Sequence, residues 1–379
     1  MEAQGEINMI DETKLFNGFY SKKRVLITGH TGFKGSWLTL WLLSLGAKVA
    51  GYSLYYPSKP CNFIVCALKK HTINITGDIR DLSSLRAVFQ KFKPEIVFHL
   101  AAQPIVKRSF EEPKTTFDTN IGGTVNVLEC IRITGSVKGA VIITSDKCYR
   151  NEERKEGYIE TDTLGGDDPY SASKAGAEIV AHAYIKSFFN SGKSARICTV
   201  RAGNVIGGGD WAPDRIIPDC IRSFSENKKA IIRNPDAKRP WQHVLEPLSG
   251  YLWLGSKLCF NSKLQGESFN FGPAKDVNQS VKEVAEKLSY LWGDGKWLVN
   301  KQKRFGKEAN LLKLSCDKAA RLLHWHPILT FDDTIRMTSE WYKKYYESKE
   351  NMYLYSIAQI DEYVKQALRR NLSWTRGER

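Results

Sequence analysis

The sequence predicts an α/β protein built on a doubly wound parallel sheet, with a smaller C-terminal α/β lobe. Three observations carry this expectation. A β-branched apolar run, Arg24-Val25-Leu26-Ile27-Thr28, opens into glycines spaced G-x-x-G-x-x-G (Gly29, Gly32, Gly35) and then into an apolar stretch with helical spacing. Strand-like runs then alternate with helical ones as far as Arg201, the order that produces a parallel sheet. From Gly203 onward the texture changes to loops rich in Gly, Asp, Trp and Pro, with shorter elements between them.

Taken in order, residues 1–21 are poorly patterned and, as far as Asp11, polar and acidic, unlike a secretion signal. The strand near 24–28 and the helix near 36–45 flank a turn suited to a dinucleotide. Gly29 supplies the tight turn, Gly32 removes a Cβ that would block a diphosphate, and Gly35 lets helix and strand pack closely. The helix N-terminus offers free N–H groups to the anion. The turn residues Gly29, His30, Thr31, Gly32, Phe33, Lys34 and Gly35 are therefore candidate cofactor contacts on a Rossmann sheet. A second strand, 48–54, ends without the acid that usually meets the ribose. Ser53 offers a weaker, neutral hydrogen bond, and no Arg follows it to hold a 2′-phosphate, so the expected cofactor is NAD rather than NADP.

In Gly77-Asp78-Ile79-Arg80-Asp81 an acid is set to cap the helix 82–92, and Asp78 with Ile79 is a candidate adenine contact. The run 95–103 reads as a buried strand ending in small residues, where Leu100, Ala101 and Ala102 bring backbone to the cofactor. His99 within it reads as a satisfied core histidine, and Gln103 after it as a substrate-side residue. A helix over about 113–133 carries Asn120 and a Gly122-Gly123-Thr124 break. Strand 140–144 ends in Ser145-Asp146-Lys147, polar groups at the carboxyl end of a central strand, where such sheets bind ligands. Asp168-Pro169 opens a helix with Tyr170 and Lys174 four residues apart on one face. An ammonium beside a phenol favours phenolate, so Tyr170 reads as a base for a hydroxyl.

Residues 22–205 form the expected dinucleotide domain, with a segment near 241–272 returning to it. Residues 206–240 and 273–369 form the expected substrate lobe, with helices near 281–291, 331–346 and 352–368, and the tail 371–379 is expected to be frayed. With 379 residues there is length for two lobes, and no apolar run approaches the ~18 residues a membrane span needs. A formal charge of +15 comes in short scattered groups without a nucleic-acid module, so a basic solvated surface is expected rather than a nucleic-acid or membrane partner. The eight cysteines show no C-x-x-C spacing, which points to reduced thiols in a cytoplasmic protein and to no metal site.

The glycine turn, the strand-end Ser145 and the Tyr170-x-x-x-Lys174 pair together resemble the extended short-chain dehydrogenase/reductases that act on nucleotide sugars. Closer still, Gly29–Trp37, Thr144-Ser145-Asp146-Lys147-Cys148-Tyr149, Asp168–Lys174, Arg201–Trp211 and Arg239-Pro240-Trp241-Gln242-His243-Val244-Leu245 resemble the CDP-glucose 4,6-dehydratase group. The resemblance implies that NAD oxidises CDP-glucose at carbon 4, water leaves across carbons 5 and 6, and hydride returns to carbon 6, giving CDP-4-keto-6-deoxyglucose. It makes Tyr170 the base, Lys174 its tuner and the holder of the nicotinamide ribose, both of them cofactor contacts, Ser145 the orienting hydroxyl and Asp146 the acid for the departing carbon-6 oxygen. Lys147, where relatives acting on dTDP-glucose carry Glu, is either the carbon-5 base or a cation that stabilises an enolate. It puts Asn204, Asp210, Trp211, Arg215, Arg239 and His243 on the substrate side, with Arg215 and Arg239 suited to a diphosphate. Departures fall at Lys307 and at His324. Many relatives of this kind are dimers, so the resemblance implies a homodimer or higher homo-oligomer. The competing expectations are another nucleotide-sugar dehydratase, a 4-epimerase, which needs the Tyr-Lys pair but no acid at carbon 6, and a non-catalytic nucleotide-binding protein on the same fold.

Overall fold

The computed structural model describes residues 12–190, 194–300, 312–348 and 350–376. Seven strands form one parallel sheet: β1 (Arg24–Thr28), β2 (Lys48–Ser53), β3 (Ile73–Thr76), β4 (Ile96–His99), β5 (Gly139–Ile143), β6 (Arg196–Arg201) and β7 (Ser268–Asn270), in the order β3-β2-β1-β4-β5-β6-β7. The order reverses between β1 and β4, so the crevice outside their carboxyl ends is where such a sheet takes a ligand.

Side-chain alternation along each strand makes the two faces. Val25, Ile27, Ile96, Phe98, Val141 and Ile143 enter one core, against the helices Phe33–Ser44 and Leu245–Leu258, whereas Leu26, Val97, Ala140 and Ile142 enter the other. That second core is closed by the helices Leu82–Phe92, Gly123–Thr134 and Pro169–Phe188. The helix expected over about 113–133 contains one turn of π-helix, Asp118–Gly122, at its Gly-Gly break. After residue 241 the helix Leu245–Leu258 lies on β5 and β6, and β7 pairs with β6.

The smaller lobe centres on a parallel pair, Lys229–Ile232 with Lys296–Val299, backed by the helices Ile216–Ser225 and Val281–Trp292. Only one of the last two helices stays with it. Phe331–Glu347 packs on Val281–Trp292, but Met352–Arg369 lies on the first helix, where Tyr363 meets Trp41 at 5.8 Å and Cys66 donates to the Met352 carbonyl and pairs with Ser356. The tail expected to fray is anchored in the core through Leu372, Trp374 and Thr375. Trp374 is fully buried and stacks on Phe16 at 5.2 Å, so residues from the unpatterned N-terminal segment and the tail close one end of the hydrophobic core together. Among the described residues no helix is long and apolar enough to cross a membrane. Residues 1–11 and Lys307 lie outside them.

Candidate active site

The carboxyl ends of β1 to β6 open into one cleft of about 1610 Å³, above the usual size for a single drug-sized ligand and roomy enough for a dinucleotide and a nucleotide sugar together. Every site residue expected from the sequence lines it except His30 and His243.

In the glycine turn, Gly29 sits at φ +77°, and a Cβ there would lie 2.6 Å from the Ala101 nitrogen, so Leu100-Ala101-Ala102 can pass directly beneath the turn. A Cβ on Gly35 would lie 2.2 Å from the Gly29 carbonyl oxygen. Gly32 is the N-cap of the helix Phe33–Ser44 and brings no side-chain cap, which leaves first-turn N–H groups for an anion. These features fit a dinucleotide diphosphate, with Thr31, Phe33 and Lys34 also at the cleft wall.

His30 departs from expectation. Its ring turns away from the cleft into the space that the missing Cβ of Gly51 leaves, 2.1 Å from where that atom would be. There it donates from Nε2 to Asn74 Oδ1 at 2.6 Å and bonds the Ser53 hydroxyl at 2.8 Å, and burial pushes it down to about 4 against the hydrogen bond to Asn74. Ser53 also accepts the Thr31 N–H, so its hydroxyl is held in a network before any ribose reaches it. Asp78 lines the cleft but is forked by Arg80, whose hydrogen bonds hold its carboxyl below the usual range; Asp81 is the residue that caps the helix Leu82–Phe92. His99, as expected, is a core residue, bonded to Thr28 and Thr124.

The catalytic segment follows β5. Ser145 Oγ donates to Asp146 Oδ1 at 2.9 Å and accepts the Lys147 N–H at 3.2 Å. Asp146 is buried, and a Cβ on Gly203 would lie 1.8 Å from its Oδ2, so the bare Gly203 makes room for the acid. Tyr170 is on the first turn of the helix Pro169–Phe188, capped by Asp168. Its phenol is pushed up to about 12, burial outweighing the Ser145 hydrogen bond and the nearby Arg215 charge. The lowering by Lys174 expected from the sequence is not part of this geometry, because the ammonium donates to the Ile143 carbonyl at 3.5 Å. Burial first, and the Lys34 charge second, bring Lys174 down to about 8. Lys34 itself is brought to about 8 by desolvation and Arg215, with Asp146 acting the other way.

On the substrate side, Asn204 adopts a left-handed conformation at φ 51°, and its carbonyl accepts the Gln242 N–H. Arg215 enters the cleft on the Asp210 carboxylate, while Trp211 packs edge-on to Trp341 at 5.7 Å and to Tyr342 at 5.6 Å. Arg239 lines the cleft beside Trp241. Gln103 lines it as well but is largely committed: Oε1 accepts the Ile105 N–H and Nε2 donates to Thr116. His243 is not there. It is fully buried against Trp37 at 6.2 Å and pushed down to about 3 by burial. The expectation failed because Gln242 and His243 form a short strand beside Val205–Ile206 that runs under the cleft floor. Sequence reasoning passed over Glu178 and Arg201, which lie beneath the catalytic segment; the clue was the i,i+4 spacing of Glu178 from Lys174.

Comparison with known proteins agrees with this arrangement. Residues 26–338 match the family described as GDP-mannose 4,6 dehydratase. The CDP-glucose 4,6-dehydratase of Salmonella typhimurium is 47% identical over 356 residues, 93% of this chain and 99% of the relative. The solved structure of the epimerase Mth375 from Methanothermobacter thermautotrophicus superposes with a TM-score of 0.75 at 25% identity, covering 86% of this chain and 94% of that one. That of the dTDP-glucose 4,6-dehydratase DesIV from Streptomyces venezuelae, solved with NAD and TYD bound, has a TM-score of 0.72 at 23% identity, covering 85% and 97%. A match over most of the sheet and cleft, and an identity that spans nearly the whole of both chains, place this chain in the GDP-mannose 4,6 dehydratase family.

Proposed function

We propose that the chain converts CDP-glucose to CDP-4-keto-6-deoxyglucose and water, with NAD held along the glycine turn and β2. The observation that carries this is the placing of an acid, Asp146, and a cation, Lys147, directly after Ser145 in the cleft that also receives Tyr170. An epimerase needs the phenol but nothing to expel a hydroxyl. The 47% identical CDP-glucose 4,6-dehydratase supports the choice of nucleotide.

Bound NAD would supply reversible hydride transfer, from carbon 4 and back to carbon 6, so that the overall reaction is redox-neutral. Tyr170 takes the proton of the carbon-4 hydroxyl, which Ser145 orients, and Arg215 supplies the positive field its phenolate needs, while Lys174, held on the Ile143 carbonyl, stands for the nicotinamide ribose. The carbon-4 ketone makes the carbon-5 hydrogen acidic. Asp146 acts as the acid at the oxygen leaving carbon 6, while Lys147 stands as base at carbon 5 or as the cation that stabilises the enolate. Arg215 and Arg239 face the diphosphate. A cytoplasmic setting and a homo-oligomer belong to the same proposal. Eight free thiols support the first, and the exposed Ile133, Ile179 and Phe188 on the adjoining helices Gly123–Thr134 and Pro169–Phe188 support the second.

The test is incubation with NAD⁺ and a panel of CDP-, dTDP-, UDP- and GDP-glucose in deuterated water. Loss of one water from CDP-glucose, with one deuterium at carbon 5, is the expected outcome. Epimerised sugar without mass loss would select the epimerase instead, and water loss from another nucleotide would correct the base.

A further inference from the structure

We propose that Glu178 and Arg201 are positioning residues of the reaction, a buried ion pair that fixes both ends of the catalytic segment and so aims Ser145, Asp146 and Lys147 into the cleft. This rests on the dehydratase function proposed above.

Tyr170, Lys174 and Glu178 lie at successive i,i+4 positions of the helix Pro169–Phe188. The first two reach the cleft, whereas Glu178 is buried below it, its side chain 3% exposed. Arg201, the last residue of β6, meets it as a fork: Nε donates to Oε1 at 2.9 Å and Nη2 to Oε2 at 3.0 Å. The pair then reaches out to the catalytic segment in two directions. The Thr144 hydroxyl, immediately before Ser145, donates to Glu178 Oε1. At the other end the Tyr149 hydroxyl, two residues after Lys147, accepts from Arg201 Nη1 at 2.6 Å and donates to Asn270 Oδ1 at 2.9 Å, with the guanidinium 4.7 Å over the Tyr149 ring. The remaining acceptor and donor are used as well, by the Thr199 hydroxyl at 2.6 Å and the Glu160 carbonyl at 3.1 Å.

A buried pair of this kind is a poor source of net stability, because desolvating two charges offsets most of their attraction. What it provides is a rigid, fully satisfied anchor. The four residues from Ser145 to Cys148 are spanned between its two attachment points, and displacements of about an ångström at reacting groups are enough to slow chemistry strongly.

The test detaches one end at a time and leaves the ion pair intact, so that folding is preserved. In Thr144→Val and in Tyr149→Phe we expect kcat for water loss to fall at least tenfold, with KM for CDP-glucose within twofold and the thermal midpoint within a few degrees. Thr144→Ser, which keeps the hydroxyl, should recover most of the rate. If Thr144→Val and Tyr149→Phe both hold kcat within threefold of wild type, or if their losses track the thermal midpoint and Thr144→Ser recovers nothing, the proposal is overturned. Wild-type turnover in the same assay keeps the two ideas apart. A wild type that releases no water defeats the dehydratase function, whereas an active wild type with unaffected variants defeats only the positioning role.

Discussion

Arg215 Nη1 donates to Asp210 Oδ2 at 2.7 Å, and the other oxygen of that carboxylate accepts the Ala212 N–H at 3.0 Å. Asp210, expected from the sequence to face substrate, is thereby the support that aims the guanidinium into the cleft. With the Asp210 carboxylate replaced by an amide, Arg215 keeps its charge but loses its fixed direction. Asp210→Asn should therefore raise KM for the nucleotide sugar roughly tenfold, the equivalent of one charge-assisted hydrogen bond at about 1.5 kcal/mol, and change kcat by less than threefold. Steady-state kinetics in both variables checks this; an unchanged KM would show that Arg215 does not meet the diphosphate.

Tyr170→Phe should abolish oxidation at carbon 4 while leaving substrate affinity within a few fold, because the phenol oxygen acts on a proton in the transition state and adds little to ground-state binding. Rapid-mixing absorbance of reduced nicotinamide, set beside equilibrium binding of CDP-glucose, separates the two. Near-normal single-turnover reduction in this variant would remove Tyr170 as the base.

Lys147→Met separates the two roles left open for that residue. If Lys147 is the carbon-5 base, oxidation at carbon 4 proceeds and water loss stops, so reduced nicotinamide accumulates by at least a hundredfold over wild type. Elimination at a rate within tenfold of wild type would leave Lys147 an electrostatic role only.

Acid sensitivity should follow from the buried histidines. His30 stands at about 4, and His99 and His243 at about 3, all pushed down by burial from 6.5. Each binds a proton more readily unfolded than folded, so stability is full above 6.5 and is lost as pH falls toward the folded values, at ~1.4 kcal/mol per pH unit for each group. His243 is the cleanest probe, since its Nε2 meets no partner. His243→Leu should leave stability at pH 7.5 within about 1 kcal/mol and reduce the drop between pH 7.5 and 5.5 by roughly 1.4 kcal/mol. Denaturant unfolding at the two pH values measures it, and an undiminished drop would place the acid sensitivity elsewhere.

Trp374 is stacked on Phe16 and on Tyr363, at 5.2 and 6.0 Å. Trp374→Ala should cost ~3–5 kcal/mol, as for other large-to-small changes in a core. A loss under 1 kcal/mol in equilibrium unfolding would mean that the tail is an ornament on the fold rather than part of it.

Local chemistry determined a good deal of this protein from the sequence alone. Apolar runs marked β1, β2, β4, β5 and β6, and helical spacing marked most of the helices, since each element's burial pattern is written into its own residues. The Gly29-Gly32-Gly35 turn, the strand-end Ser145-Asp146-Lys147 and the Tyr170-Lys174 face were legible for the same reason: fixed backbone geometry converts spacing into position. Where a side chain turns was not legible, because that depends on what a distant segment leaves open. Gly51 gives His30 a hole to turn into, the short strand at Gln242-His243 carries His243 beneath the floor, and the Ile143 carbonyl draws Lys174 off the phenol. The joining of Phe16 to Trp374, and of Glu178 to Arg201, was likewise decided only in three dimensions. Contacts between residues far apart in the chain leave no period in either segment; burial and the need to satisfy every buried polar group select them once the sheet has brought the segments together.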